Sequence, residues 1–308
     1  MTQNVVLGKE NLKTYEDQDG QLTFSSISTD TSSMVVQANT MIKGRQDLSL
    51  NEAKLVRIIM MQILANDLEF KPYTVTPGEF AMLVGNVDSV NMYHKSKDLC
   101  DSLMRKNLEI VSEDGSWVKY NWVSMCRYNS RSKKIEVKLN PDLKPFLLGL
   151  VEKGFYTQYT LDNTLNMSSI YAIRIFELLQ EAIRTKLLPR NGTKVVLTKE
   201  TIINACMIYK QDKKTGAIIL GPDKKPVEKY ERISQFKEKV IETACREITA
   251  NSNYFVPYNA KDKDHPEWKV NYIKSGREIT AFEFFVNTKG HLDPDSEIFK
   301  KWMGMDEE

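Results

Sequence analysis

The spacing of hydrophobic residues predicts a buried helix in the first third of the chain. Ser49–Glu52 has the form of a capping box, in which the serine side chain accepts an amide hydrogen bond and the glutamate reaches back. The run that follows, Ala53–Asn66, is dense in leucine, isoleucine and methionine, which is typical of a core helix. Residues before Met34 are polar, and we expect an extended arm there.

Two further helices and several strands are predicted after that helix. Pro77 and Gly85 mark the beginning and the end of a short helix. Asp88–Lys106 predicts a longer one, because its apolar residues recur at helical spacing on one face. Alternating, β-rich runs then predict three strands, at Leu108–Val111, Trp117–Met125 and Lys134–Leu139. A short helix is predicted after them, at Pro141–Leu150.

The second half of the chain repeats this order of elements. Three helices are predicted first, over Ile170–Ile183, Leu197–Met207 and Lys229–Ala250. Three strand-like runs follow them, at Tyr254–Tyr258, Trp268–Ile273 and Thr280–Val286. The first matching elements of the two halves lie about 120 residues apart and the last ones about 145 apart. A polar insertion over 210–229 accounts for the difference. The repeat is one of pattern and not of residue identity.

Three helices followed by a β-hairpin is the order of a winged-helix domain, a variant of the helix-turn-helix. We therefore predict an α+β fold made of two tandem winged-helix domains related by a pseudo-repeat. The predicted boundaries are a polar N-terminal arm at 1–33, a first domain at 34–150, a connector at 151–167, a second domain at 168–290 and an acidic C-terminal tail at 291–308.

The net charge of +2 over 308 residues conceals an uneven distribution. Residues 1–30 carry a net charge of −3 and residues 291–308 one of −4, so the body between them carries +9. A basic body is the electrostatic requirement for binding a polyanion such as nucleic acid. The charge distribution therefore agrees with the predicted DNA-binding domains, which the average had seemed to disfavour.

Several other classes of protein are disfavoured by what the sequence lacks. There is no apolar leader or membrane span, and we expect a cytoplasmic protein. The four cysteines form no CxxC pair, so buried inert thiols are expected. Phosphate-binding glycine motifs, a nucleophile elbow and clustered histidines are also missing. We therefore expect no cofactor, no metal and no enzymatic activity, and a nicking-type replication enzyme is disfavoured.

The long helix of the second half has the residues that a DNA-reading helix needs. An apolar stripe anchors such a helix, while arginine and lysine suit guanine, and glutamine suits adenine, in the major groove. Lys237 falls beside the apolar stripe and is expected to extend outward to solvent. A mixed-charge solvated face remains the alternative reading. The predicted DNA-binding residues of this helix are Arg232, Ser234, Gln235, Lys237, Lys239 and Arg246.

The first half offers a weaker set of candidates. Its third helix presents Asn91, His94, Lys95 and Lys97, and an exposed or capping role for the histidine is the alternative. The hairpin between Arg127 and Lys138 has a local charge of +4, which suits contacts between a wing and phosphates. Cations that protect a sheet edge against aggregation are the alternative there. The predicted phosphate contacts are Arg127, Arg131, Lys133 and Lys134.

Three segments, Leu48–Lys54, Ser169–Gln180 and Tyr230–Val240, resemble the iteron-binding plasmid replication initiator (Rep) family. Leu48–Lys54, LSLNEAK, resembles the opening of the family's first helix. Ser169–Gln180, SIYAIRIFELLQ, is similar to its S-x-x-A-I-R-L-Y-E-L-L helix, with Phe176 in place of tyrosine and Arg174 at the arginine. Tyr230–Val240, YERISQFKEKV, is similar to its recognition helix. The insertion over 210–229 departs from the family.

The resemblance implies a protein that binds double-stranded DNA at direct repeats of a plasmid origin. It also implies duplex opening, recruitment of the host initiator and helicase, and a homodimer that represses its own gene from an inverted repeat. Two recognition helices in successive major grooves would cover roughly 20 bp. The alternatives are a tandem winged-helix transcription regulator without replication activity, and a winged-helix scaffold for protein–protein contacts.

Overall fold

The structure is a computed structural model, and its contacts divide the chain into two compact units, Met1–Asn166 and Met167–Glu308. The residues that it describes are 14–16, 22–24, 34–64, 67–76, 89–112, 114–129, 131, 134–150, 154–183, 188–189, 191–212, 216–259 and 265–289. Within the predicted arm, β1 (Thr14–Glu16) and β2 (Leu22–Phe24) pair antiparallel. The acidic tail and the short helix predicted between Pro77 and Gly85 lie outside the described residues.

The first unit begins with β3 (Met34–Ala38), α1 (Asn39–Lys43) and β4 (Arg45–Gln46). The predicted capping box is present, because Glu52 accepts the backbone N–H of Ser49 at 2.6 Å and starts α2 (Leu50–Met61). The remaining elements are β5 (Tyr73–Val75), α3 (Ser89–Leu103), β6 (Asn107–Val111), β7 (Trp117–Asn121), β8 (Val123–Asn129), β9 (Lys134–Leu139), α4 (Lys144–Leu147), β10 (Tyr156–Thr160) and α5 (Asp162–Leu165).

Two hairpins follow α3, where the sequence predicted one continuous run from Trp117 to Met125. The buried side chain of Trp122 separates β7 from β8. One sheet has the order β4-β6-β7 and the other β5-β9-β8. In the second sheet, β5 pairs antiparallel with β9, which is the second strand of the β8-β9 hairpin.

The predicted connector at 151–167 is wrong, because part of it belongs to the first unit. β10 pairs antiparallel with β3 over its full length, from Tyr156 opposite Ala38 to Thr160 opposite Met34. Thr157 donates a hydrogen bond to Asn39 at 2.8 Å. The pairing joins segments more than 110 residues apart, so nothing local in the sequence indicates it.

The second unit has the order helix, strand, two helices and wing. Its elements are α6 (Ile170–Ile183), β11 (Thr193–Thr198), α7 (Lys199–Ala205), α8 (residues 233–251), β12 (Tyr254–Phe255), β13 (Asn271–Ser275) and β14 (Glu278–Thr288). The sheet has the order β11-β14-β12, with β13 also pairing with β14. β11 was not predicted, and it occupies the position that β5 has in the first unit.

Helix α8 is continuous but irregular: Ile233–Phe236 is α-helical, Lys237–Glu242 is π-helical and Thr243–Asn251 is α-helical. Its buried residues include Phe236, Val240, Ala244 and Ile248, each four positions after the last. A spacing of four drifts around a regular helix, whereas a wider turn keeps such residues on one face. The π-helical turn therefore fits the apolar spacing of this sequence.

The insertion, residues 210–229 (hereafter the insert), folds back on itself. Tyr209 bridges to Glu228, Gln211 to Ile218, and Leu220 to Pro226. The backbone N–H of Lys229 donates to Ile208 at 3.0 Å, so the insert closes where it opened. Helix α8 consequently starts at Ile233 and not at Lys229 as predicted.

The core of the second unit is aromatic. Phe255, Trp268 and Phe285 form a buried cluster, and the rings of Phe255 and Trp268 meet edge to face at 5.0 Å. Gly192, at φ +74°, enters β11 beside this cluster, and a Cβ there would lie 2.5 Å from the Phe285 ring. Within the described parts of both units, no helix is long and apolar enough to cross a membrane.

Candidate nucleic-acid interface

Helix α8 is held against the sheet by its apolar face. The Phe236 ring stacks on Phe282 of β14 with centroids 5.7 Å apart, and both side chains are buried. The opposite face is exposed and carries Ser234, Gln235, Lys239 and Arg246. Four of the six residues predicted for this helix therefore lie together on one accessible face.

The other two predicted residues are placed differently. Arg232 is exposed but occupies the N-cap position, where its backbone is extended, so it precedes the first helical residue of α8. Lys237 is half-buried, and its Nζ lies 4.0 Å from the centroid of the Tyr272 ring on β13. Its side chain therefore lies over an aromatic ring of the wing, where the sequence predicted free extension into solvent.

Carboxylates near the exposed face of α8 partly offset its positive charge. Lys239 Nζ lies 2.7 Å from Glu238, which raises the pKa of that lysine through a hydrogen bond. Glu231 is 2.6 Å from Lys210 of the insert, and this contact lowers the pKa of the glutamate. Both pairs are exposed, so water and salt screen them and leave the lysines available to a phosphate.

The wing of the second unit, β13 and β14, contributes residues that the sequence analysis missed. Gly276, at φ +60°, makes the turn between the strands, and Lys274 and Arg277 flank it with exposed side chains. Tyr272 on the same hairpin donates a hydrogen bond to the Tyr258 hydroxyl at 3.2 Å. A Ser–Gly pair between two strand-like runs, with a cation on each side, was the available clue.

In the first unit, His94, Lys95 and Lys97 of α3 are exposed, while Ser96 between them is buried. The side chain of Asn91 lies outside the described residues. The helix packs against β8 of the wing, where the Cys100 and Cys126 thiols form a hydrogen bond that lowers the pKa of Cys100. Both thiols are half-buried, where fully buried ones were expected.

The predicted phosphate contacts of the first wing, β8 and β9, are not equivalent. Arg127 donates to Glu136 on the opposite strand at 2.7 Å, and this hydrogen bond raises the pKa of the arginine. Arg131 is exposed in the turn, while Lys134 is half-buried. Lys133 lies outside the described residues.

Arg174, singled out by the resemblance, is a structural residue. It is 1% exposed, forms an ion pair with buried Glu177, and donates from Nε to the carbonyl of Ala205 at 3.0 Å. That carbonyl belongs to the last residue of α7. The arginine therefore ties the first helix of the unit to the helix that precedes α8.

Comparison with protein families gives two matches on this chain. The sequence model described as "Initiator Replication protein, WH1" matches residues 34–180, and the one described as "Initiator Rep protein, WH2" matches residues 224–286. The first match runs into α6, which the contacts assign to the second unit. Residues 210–223 of the insert lie outside both matches. No curated protein sequence matches the chain.

Solved structures share the fold. The Pi initiator protein in complex with iteron DNA has a TM-score of 0.64 at 15% identity, over 85% of this chain and 100% of the other. A WH1 domain of MSBI1.176, a replication protein isolated from a multiple sclerosis patient, has 24% identity over 32% of this chain and 79% of its own, with a TM-score of 0.25. Domains 2 and 3 of RctB have a TM-score of 0.42 at 10% identity, over 87% of this chain and 91% of theirs. Only the first of these similarities is close enough to support the fold.

Proposed function

The chain belongs to the initiator replication protein family, and we propose that it binds direct repeats, or iterons, at a plasmid origin to initiate replication. The observation that carries this proposal is the match of both winged-helix models, one after the other, on a single chain. The Pi protein, which shares the fold, is described in complex with iteron DNA. The proposed activity is binding and not catalysis.

In this proposal, α8 enters the major groove of the duplex. A recognition helix contacts base edges with its N-terminal residues, and Ser234 and Gln235 occupy that part of α8. Gln235 has the bidentate amide that suits adenine. Lys239 and Arg246 follow on the same exposed face and suit guanine or phosphate.

The wings supply contacts to the sugar-phosphate backbone. Lys274 and Arg277 flank the turn of the second wing, and Arg131 occupies the turn of the first. Phosphate contacts carry no base information and fix the register of the protein on DNA. In the first unit, His94, Lys95 and Lys97 form the exposed face of α3 that would meet the groove.

The test begins with selection of bound sequences from a library of random duplexes by the full-length protein. A single recovered motif, with preference relaxed at one base pair in a Gln235→Ala variant, supports reading by α8. A plasmid carrying tandem copies of that motif then tests replication, with the same plasmid carrying scrambled copies as the control. The proposal would be contradicted if no motif were recovered, or if the plasmids with tandem and with scrambled copies replicated equally well.

A further inference from the structure

We propose that the insert is a second DNA-contacting element of the second unit, in which Lys224 and Lys225 bind backbone phosphates beside the groove that α8 enters. This inference rests on the proposed binding of DNA by α8. Residues 210–223 of the insert lie outside both family matches, and Lys224 and Lys225 are the first two residues of the second match.

The described residues of the insert are joined to one another by backbone hydrogen bonds. The backbone N–H of Lys210 donates to Val227 at 2.8 Å, that of Ile219 to Lys210 at 2.9 Å, and that of Val227 to Ile219 at 2.9 Å. Three segments of the insert are thus each bonded to the other two. Lysines on a hydrogen-bonded segment lose less conformational entropy on binding than lysines on a flexible linker.

The base of the insert is fixed to both helices of the helix-turn-helix. Lys199, the first residue of α7, forms an ion pair with Glu228 at 2.9 Å. Lys210 forms one at 2.6 Å with Glu231, just before the cap of α8. Because the N-terminal end of a recognition helix is the end that meets the bases, the insert joins the domain at its DNA-facing end.

Lys224 and Lys225 stand at a tight turn of the insert. The N–H of Gly221 donates to the Lys225 carbonyl at 2.8 Å, and the N–H of Lys224 donates to the Gly221 carbonyl at 3.0 Å. The Asp223 carboxylate accepts the backbone N–H of Lys225 at 3.1 Å. Both lysines are exposed, and neither ammonium has a carboxylate partner within the described part of the chain.

The backbone at Lys224 is left-handed, with φ +60°. Glycine and asparagine adopt that conformation more readily than lysine. The conformation of the turn therefore does not explain why lysine occupies this position. What lysine adds there is an accessible ammonium group.

The insert also exposes Ile219 and Leu220, with 42% and 57% of their surface accessible. Two exposed apolar residues suit a protein partner as well. The two lysines and the position beside α8 favour DNA, and protein docking is one outcome of the test.

The test compares three full-length proteins on the duplex recovered by selection and on a duplex of unrelated sequence. The variant is Lys224→Asn with Lys225→Gln, since asparagine fits the left-handed position. The control is Lys194→Gln with Lys269→Gln, which removes two exposed cations elsewhere in the same unit. We expect the variant to bind both duplexes about tenfold more weakly, and the slope of log affinity against log salt to fall by about 2. The control should behave like the parent protein.

Three results would overturn the inference. The first is a variant with the affinity and salt slope of the parent. The second is a loss confined to the selected duplex, since that would mean base reading. The third is plasmid replication lost in Ile219→Ser with Leu220→Ser while DNA binding by both insert variants stays normal, which would mean protein docking. A parent protein that binds no duplex would instead contradict the proposed function.

Discussion

The ammonium of Lys237 lies 4.0 Å from the centroid of the Tyr272 ring, so a cation–π contact joins α8 to the wing of the second unit. Tyr272 in turn contacts Phe282 edge to face at 5.8 Å, and Phe282 stacks on Phe236 of the helix. Helix and wing are therefore packed through a continuous set of side chains. The contact gives Lys237 a structural role in addition to its charge.

Replacing Lys237 should consequently cost stability as well as affinity. We expect Lys237→Met to lower the free energy of unfolding by about 1 kcal/mol, and Tyr272→Leu combined with it to cost less than the sum. Urea denaturation of the two single variants and the double variant measures the coupling. Tyr272→Phe keeps the ring and is the matched control, with the coupling retained. Additive losses would mean that the contact contributes nothing.

Base reading should depend on Gln235, which is exposed near the start of α8. Gln235→Ala should relax preference at one base pair and weaken the selected duplex by about 1–3 kcal/mol. Competition between the selected duplex and single-base variants measures this preference. Lys194→Gln, an exposed change on β11 and outside the exposed face of α8, is the control, and its base preference should match that of the parent. An unchanged preference would remove Gln235 from the interface.

The first wing should bind DNA more tightly once Glu136 is neutralised. The Glu136 carboxylate is 2.7 Å from Arg127 and offsets its charge. Glu136→Gln should raise affinity for all duplexes about threefold to fivefold at physiological salt, because one more cation then reaches phosphate. Arg131→Gln should do the opposite, since Arg131 is exposed in the turn. Salt titrations of Glu136→Gln and Arg131→Gln measure the two changes in affinity. If both variants changed the affinity in the same direction, the result would argue against a contact between this wing and DNA.

The buried pair of Arg174 and Glu177 should be sensitive to removal of one partner. Arg174→Met leaves an uncompensated carboxylate in a site with 0% exposure and should cost about 3–5 kcal/mol. Arg174→Leu with Glu177→Leu removes both charges and should cost much less. Thermal unfolding monitored by circular dichroism distinguishes the two. A double variant as unstable as the single one would show that the hydrogen bond to Ala205 dominates.

Stability of the second unit should fall at alkaline pH. Burial raises the pKa of the Cys206 thiol to about 12, whereas a thiol in the unfolded chain ionises near 8.5. Because the folded-state pKa is raised, the neutral Cys206 thiol makes its full contribution to the free energy of unfolding below about pH 8.5. That contribution is lost as the pH rises toward about 12. Cys206→Ala should remove about 1.4 kcal/mol per pH unit of that dependence. Urea unfolding at several pH values measures it, and identical slopes for parent and variant would contradict the assignment.

Local sequence was enough for elements whose ends are set by neighbouring residues. The capping box of α2, the bounds of α6 and the strand β9 were all predicted from a few adjacent positions. Strands β5, β10 and β11 were missed, because each is defined by pairing with a strand far along the chain. Periodicity records which side of a segment is apolar, but not which distant segment covers it.

The amino-acid sequence by itself determined two winged-helix units and the residues of the exposed face of α8, since helical spacing places them without tertiary contacts. Only the tertiary structure decided what those residues contact. Lys237 lies on Tyr272, 35 positions later, and Arg127 lies on Glu136 of a neighbouring strand. The start of α8 was likewise decided by a hydrogen bond from Lys229 to Ile208 across the insert. Each depends on distances between segments that folding brings together, and sequence spacing carries no such distances.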